Sequence, residues 1–167
     1  ETGYYILFIA IYSIALPLSK LGLDSLAVVN YFKLGNKEFK EYLTLSSILY
    51  ILWFAFFLSL CLLFSSLIGN ILKIDANTII LIVLTVFPYY FISLRLNIYR
   101  ASKQALNYSK FTILLTSFKH GLSLILLLFV EANWVYIVLA YGVSHFIISI
   151  LSIISLIKDK FFSLSLK

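Results

Sequence analysis

Residues 94–121 read LRLNIYRASKQALNYSKFTILLTSFKHG. The first half carries Arg95, Arg100, Lys103 and Lys110 with no acid, and the second half is an apolar run with Lys119 and His120 well inside it. Cations clustered beside an apolar run mark the cytoplasmic flank of a membrane helix. An ionisable group within such a run marks a cavity or a partner helix. One stretch thus bears on both topology and function.

Composition points the same way. Of 167 residues, 62% are hydrophobic and 12% charged, with a mean hydropathy of +1.04. Soluble domains run at about 45–50% apolar and about 25% charged, and a chain this short has too little interior to hide the excess. The fold class expected is all-α, a polytopic transmembrane helical bundle. The net charge of +6 lies between the hydrophobic runs. It therefore speaks for membrane orientation and attraction to anionic membrane lipids, with no nucleic acid as partner. The chain starts at Glu1 and contains no Met, so a fragment of a longer protein is expected. Cys61 is alone and has no internal disulfide partner.

A helix needs about 20 residues to cross the hydrocarbon core, and helix is the default because lipid offers the backbone no hydrogen bonds. Five spans are predicted, over residues 3–21, 43–67, 76–95, 111–130 and 133–157, in a single transmembrane region. Alternation then places Lys20–Glu41, Arg95–Lys110 and the tail from Lys158 on one side. Eleven of the thirteen cations fall in these segments and only Lys73 falls on the opposite side, which makes the first side cytoplasmic. Tyr4, Tyr5, Trp134 and Tyr136 sit at outer run ends, where amphipathic rings favour the interface. The short Glu131-Ala132-Asn133 connection predicts antiparallel neighbours.

Within Lys20–Glu41, Leu23, Leu26, Ala27, Tyr31 and Leu34 recur at helical spacing, so the first helix is expected to continue past Pro17 and Gly22 with a bend. Gly35-Asn36 is the expected stop, and Lys37–Glu41 begins the next helix. Pro88 predicts a kink in the third run.

The fourth run carries the chemistry. Thr112, Thr116, Lys119, His120 and Ser123 are spaced 4, 3, 1 and 3 apart, which at about 100° per residue confines them to roughly one third of the helix circumference. Lys119 lies eight residues beyond Phe111, or about 12 Å into a core about 30 Å thick. A charge there costs about 2.5–3.5 kcal/mol, and no acid lies in any predicted span. Either Lys119 faces a wet cavity or a bound anion, or it is a structural lysine hydrogen-bonded to carbonyls. The fifth run has its own stripe, with His145 among Tyr141, Ser144, Ser149, Ser152 and Ser155. The two stripes are on consecutive antiparallel helices and could line one space, with His145 a cavity-lining candidate. Packing by small and polar residues is the favoured reading of His145. No carboxylate pair, metal-ligand spacing or glycine-rich phosphate loop is present, so no enzyme and no cofactor is expected.

Several motifs in order carry a resemblance. Gly3-Tyr4-Tyr5 opens a span, followed by Leu21-Gly22-Leu23, Asn30-Tyr31-Phe32 and a long Ser-led span. Then come Leu94-Arg95, Arg100-Ala101-Ser102-Lys103 and Asn107-Tyr108, and the last span ends in Lys158-Asp159-Lys160. The chain resembles the O-antigen and capsule flippase type of polysaccharide exporter, in the multidrug, oligosaccharidyl-lipid and polysaccharide exporter superfamily. The resemblance implies helices two to six of a protein of about twelve helices, hence part of its N-terminal half, in the bacterial inner membrane. It also implies a lipid-linked oligosaccharide, carried on undecaprenyl diphosphate, as substrate, and contacts with other polysaccharide assembly proteins. Cationic cavity residues would meet the anionic cargo: Lys119 first, then Arg95 and Arg100. A cation-coupled small-molecule exporter of the same fold is the alternative, though such exporters commonly carry an intramembrane acid. A membrane glycan polymerase or acyltransferase using His120 or His145 would need a larger outer loop. A membrane scaffold without a transport role also fits the composition.

Overall fold

The computed structural model describes residues 2–130 and 133–162, and every regular element among them is a helix. These are α1 (Thr2–Lys20), α2 (Leu23–Lys33), α3 (Asn36–Leu72), α4 (Ala76–Val86), α5 (Tyr89–Ala101), α6 (Ala105–Phe129) and α7 (Trp134–Lys158). Five stretches are long and apolar enough to cross a membrane: α1, α3, α4 with α5, α6 and α7. The chain is an all-α bundle of membrane-spanning character. Residues 131–132 of the expected outer turn lie outside the described residues, as does the tail beyond 162.

The breaks follow local chemistry. α1 runs through Pro17 and ends at Lys20, and the bend falls at Leu21 and Gly22, both left-handed at φ 49° and 72°. Glycine adopts that conformation freely, and α2 resumes at once with Ser25 and Leu26 N–H donating to the Gly22 carbonyl. α3 starts where Gly35 N–H donates to the Glu38 carboxylate at 3.3 Å. It is 37 residues long, about 55 Å, and so extends well beyond the predicted 43–67 span. The third span breaks at Phe87-Pro88, and the Phe87 carbonyl accepts the Tyr50 hydroxyl at 2.7 Å. α6 begins at Ala105, six residues before the apolar run, because Asn107, Tyr108, Ser109 and Lys110 are compatible with a helix outside lipid.

The broken α4–α5 span occupies the centre and touches every other helix pairwise or through its partner half. One core packs α2, α3 and α5 around Leu43, Tyr50, Phe54, Tyr90 and Leu94, with Tyr50 and Tyr90 stacked at 3.9 Å. A second joins Phe8, Ile82, Val138 and Tyr141 of α1, α4 and α7. Tyr4 and Trp134 stack at 5.6 Å, so α1 and α7 begin at the same end of the bundle. Elsewhere α3 and α6 expose Leu, Ile and Phe along their outer faces, as helices facing lipid do.

Candidate functional site

A cavity of about 270 Å³ opens between α1, α5, α6 and α7. From α6 it is lined by Tyr108, Thr112, Leu115, Thr116 and Lys119, spaced so that they fall on one helix face. α1 contributes Tyr12 and Leu16, α5 contributes Tyr89 and Leu96, and α7 contributes Tyr141 and His145. Thr112, Thr116 and Lys119 of the fourth-run stripe and Tyr141 and His145 of the fifth-run stripe thus line one space, joined by tyrosines from two further helices. Ser144, Ser149, Ser152 and Ser155 stand outside its lining.

Lys119 lies fourteen residues into the 25-residue α6, about 21 Å from its start. Its Nζ stands 4.7 Å from the centroid of the Tyr141 ring. Among the described residues the ion pairs are Lys20–Asp24 and Arg95–Asp159, and no carboxylate reaches Lys119. A cation over an aromatic face gains about 0.5–2 kcal/mol, less than burial of the charge in lipid costs. The Tyr141 contact does not by itself compensate the ammonium, which remains available to an anion.

His145 is 2% exposed, with rings of Tyr12, Tyr89 and Tyr141 within 5.1 to 6.0 Å. Its Nδ1 lies 3.1 Å from the Thr85 carbonyl. A carbonyl only accepts, so Nδ1 carries the hydrogen, and in the neutral ring Nε2 is left as an acceptor.

The other candidates are placed differently. Thr112 donates to the Tyr108 carbonyl at 2.9 Å while lining the cavity. Ser123 is buried and donates to the Lys119 carbonyl at 2.8 Å, bracing the backbone there. His120 is exposed and meets Tyr141 edge-on at 6.4 Å, outside the cavity lining. Arg95 is 4% exposed, stacks on Tyr99 at 4.1 Å and donates to Asp159 at the end of α7, so it clamps two helices away from the cavity. Arg100 donates to the Tyr108 hydroxyl at 2.9 Å and touches the cavity through that ring.

Sequence reasoning passed over Tyr12, Tyr89 and Tyr108, and also Asp24, which is 2% exposed and packed against α5. The helical spacing of Tyr12, Leu16 and Lys20 was a usable signal for α1. Nothing local distinguished Asp24 from a loop acid. Comparison with protein-family models, with curated proteins and with solved structures found no match.

Proposed function

We propose that this chain is part of an exporter that moves an anionic, lipid-linked glycan across the bacterial inner membrane by alternating access. The observation that carries the reading is Lys119: a cation deep in an apolar helix, over a tyrosine ring, with no carboxylate partner among the described residues and open space in front. Such a group has an evident role when an anion occupies the cavity. Four tyrosines in the cavity lining suit a sugar, since each offers a flat apolar face and a hydroxyl that donates and accepts. The volume is just below the roughly 300–1,000 Å³ of pockets that enclose drug-sized ligands. This suits one sugar ring or a phosphate-bearing head group, with the rest of the cargo outside.

The orientation that suits this reading puts α2, the α5–α6 connection and the end of α7 in the cytoplasm. A lipid-linked unit made there would enter near Arg100 and Tyr108 and move toward Lys119. The acid that a cation-coupled exporter would use is Asp24, but Lys20 already pairs with its carboxylate, so anionic cargo is favoured. In the full-length protein, Lys119→Ala should reduce glycan delivery to the periplasmic leaflet at unchanged protein level, and Lys119→Arg should retain more. Normal delivery by the alanine variant would refute the proposal.

A further inference from the structure

A second space, of about 610 Å³, is a groove walled by α3, α4 and α7. On α7 it is lined by Leu139, Gly142, Val143 and Phe146, whereas Tyr141 and His145 line the Lys119 cavity. At about 100° per residue the two sets lie roughly a third of a turn apart around the helix. The groove is therefore distinct from the cavity.

Small residues and the Pro88 break create it. Gly142 brings α7 so close to α4 that a Cβ there would lie 3.0 Å from Thr85 Cγ2. Ala55 keeps the α3 wall shallow, and Phe54, Thr85 and Pro88 form a buried floor. The polar groups of that floor are already satisfied. Thr85 Oγ1 donates to the Ile82 carbonyl at 2.7 Å. The Thr85 and Phe87 carbonyls accept from His145 Nδ1 at 3.1 Å and from the Tyr50 hydroxyl at 2.7 Å. What remains to meet a ligand is hydrocarbon.

Depth and rim point to the bilayer. Thr85 and Pro88 lie nine and twelve residues beyond Ala76, where the third span begins, or about 14 and 18 Å along it. Leu139 and Phe146 lie five and twelve residues beyond Trp134, or about 8 and 18 Å. In a core about 30 Å thick, the groove thus covers the chain region of one leaflet, that of the Tyr4–Trp134 end, down to the midplane. Its rim residues Ile51, Leu84, Val143 and Phe146 are exposed, and they continue into the exposed Leu52 and Phe56 of α3 and Ile147 and Ile150 of α7.

An apolar space excludes water, and one of about 150 Å³ already takes up benzene. A helix is about 10 Å across, so a space of this volume would hold only about five residues of one. A single flexible hydrocarbon chain suits both shape and chemistry. We propose that the groove binds one acyl chain of a phospholipid from that leaflet, wedged against the α4–α5 break. A cargo with its head at Lys119 is on another side of α7, so the chain comes from the bilayer itself. The proposal goes beyond the exporter reading and does not depend on it.

The test is photolabelling of the full-length protein in nanodiscs containing a phospholipid with a diazirine in mid-chain, with adducts mapped by mass spectrometry. Adducts per residue on Ala55, Leu84, Val143 and Phe146 should exceed at least fivefold those on Leu63, Leu67, Leu124 and Leu128, which are exposed on α3 and α6. Ala55→Phe fills the groove from α3 and should lower adducts on Val143 and Phe146 at least fivefold, leaving Leu124 and Leu128 unchanged. Val143→Phe fills it from α7, with Ala55 and Leu84 as the readout, if the first variant does not fold. If neither folds, the wild-type comparison decides alone. Adducts no denser in the groove than on the outer faces would mean ordinary bilayer contact, and none in the groove would mean that protein covers it. Either result overturns the proposal, as do groove adducts indifferent to a folded filling variant. Displacement by a polyprenyl phosphate, at an amount at which unlabelled phospholipid displaces nothing, would assign the groove to an isoprenoid tail and overturn it too. Glycan delivery by Lys119→Ala tests the exporter reading separately.

Discussion

Replacing Lys119 by alanine should make the empty protein no less stable, and somewhat more so. The ammonium is on a membrane helix with the Tyr141 ring 4.7 Å away and no carboxylate partner among the described residues. Burying the charge costs about 2.5–3.5 kcal/mol, against a gain of about 0.5–2 kcal/mol from the ring. The difference is a net penalty of roughly 0.5–3 kcal/mol. Part of it is lifted by the open cavity in front of the side chain, so a gain of about 1 kcal/mol on truncation is expected. Binding should move the opposite way. A hydrogen bond to a charged group contributes about 1.5–3 kcal/mol, so affinity for an anionic probe should drop roughly 10- to 150-fold. Reversible unfolding in mixed micelles, with and without pyrophosphate, measures both quantities on one sample. A variant destabilised by more than about 1 kcal/mol with probe affinity unchanged would make Lys119 a packing residue, and the reasoning would fail.

Other perturbations check the architecture. Gly69→Ala would put a methyl 2.7 Å from the Ile74 carbonyl oxygen, a backbone atom in the α3–α4 turn. A loss of about 1–3 kcal/mol in the same unfolding assay is expected, and an unchanged curve would contradict the turn. Tyr50→Phe removes the hydroxyl that caps the Phe87 carbonyl at the Pro88 break and should cost about 0.5–1.5 kcal/mol. Asp159→Asn should cost about 1–3 kcal/mol in the same assay, because the guanidinium of Arg95, 4% exposed, loses its carboxylate partner; an unchanged curve would contradict the clamp. Single cysteines in a Cys61→Ser background read the cavity directly. Positions 112 and 116 line it and should react with a water-soluble thiol reagent, whereas Ile113 and Leu124, 65% and 60% exposed on the outer face, should be protected by lipid. Equal labelling of all four would remove the cavity.

Hydrophobic length determined where helices form, and helical period determined which residues of one helix share a face. Both are local properties of the chain, so the five spans, the kink at Pro88, the Gly35 stop and the Thr112–Ser123 stripe were legible before any coordinates. Helix ends were less legible. The α6 run Asn107–Lys110 is polar but helical, and polarity marks the edge of lipid without marking the edge of a helix. Lys20 was expected near the end of the first span, residues 3–21, and it is the last residue of α1.

Tertiary structure alone decided which charges are spent and which are available. Arg95 and Lys119 look alike in the sequence, each a cation beside or within an apolar run. Folding brings Asp159 to Arg95 across 64 positions and brings Lys119 an aromatic ring and, among the described residues, no carboxylate. Ser93, 69 positions from Asp24 along the chain, donates to its carboxylate and accepts from Lys20. Charge and depth are set by the residue and its helix, but compensation is a distance between helices, and that distance is a property of packing.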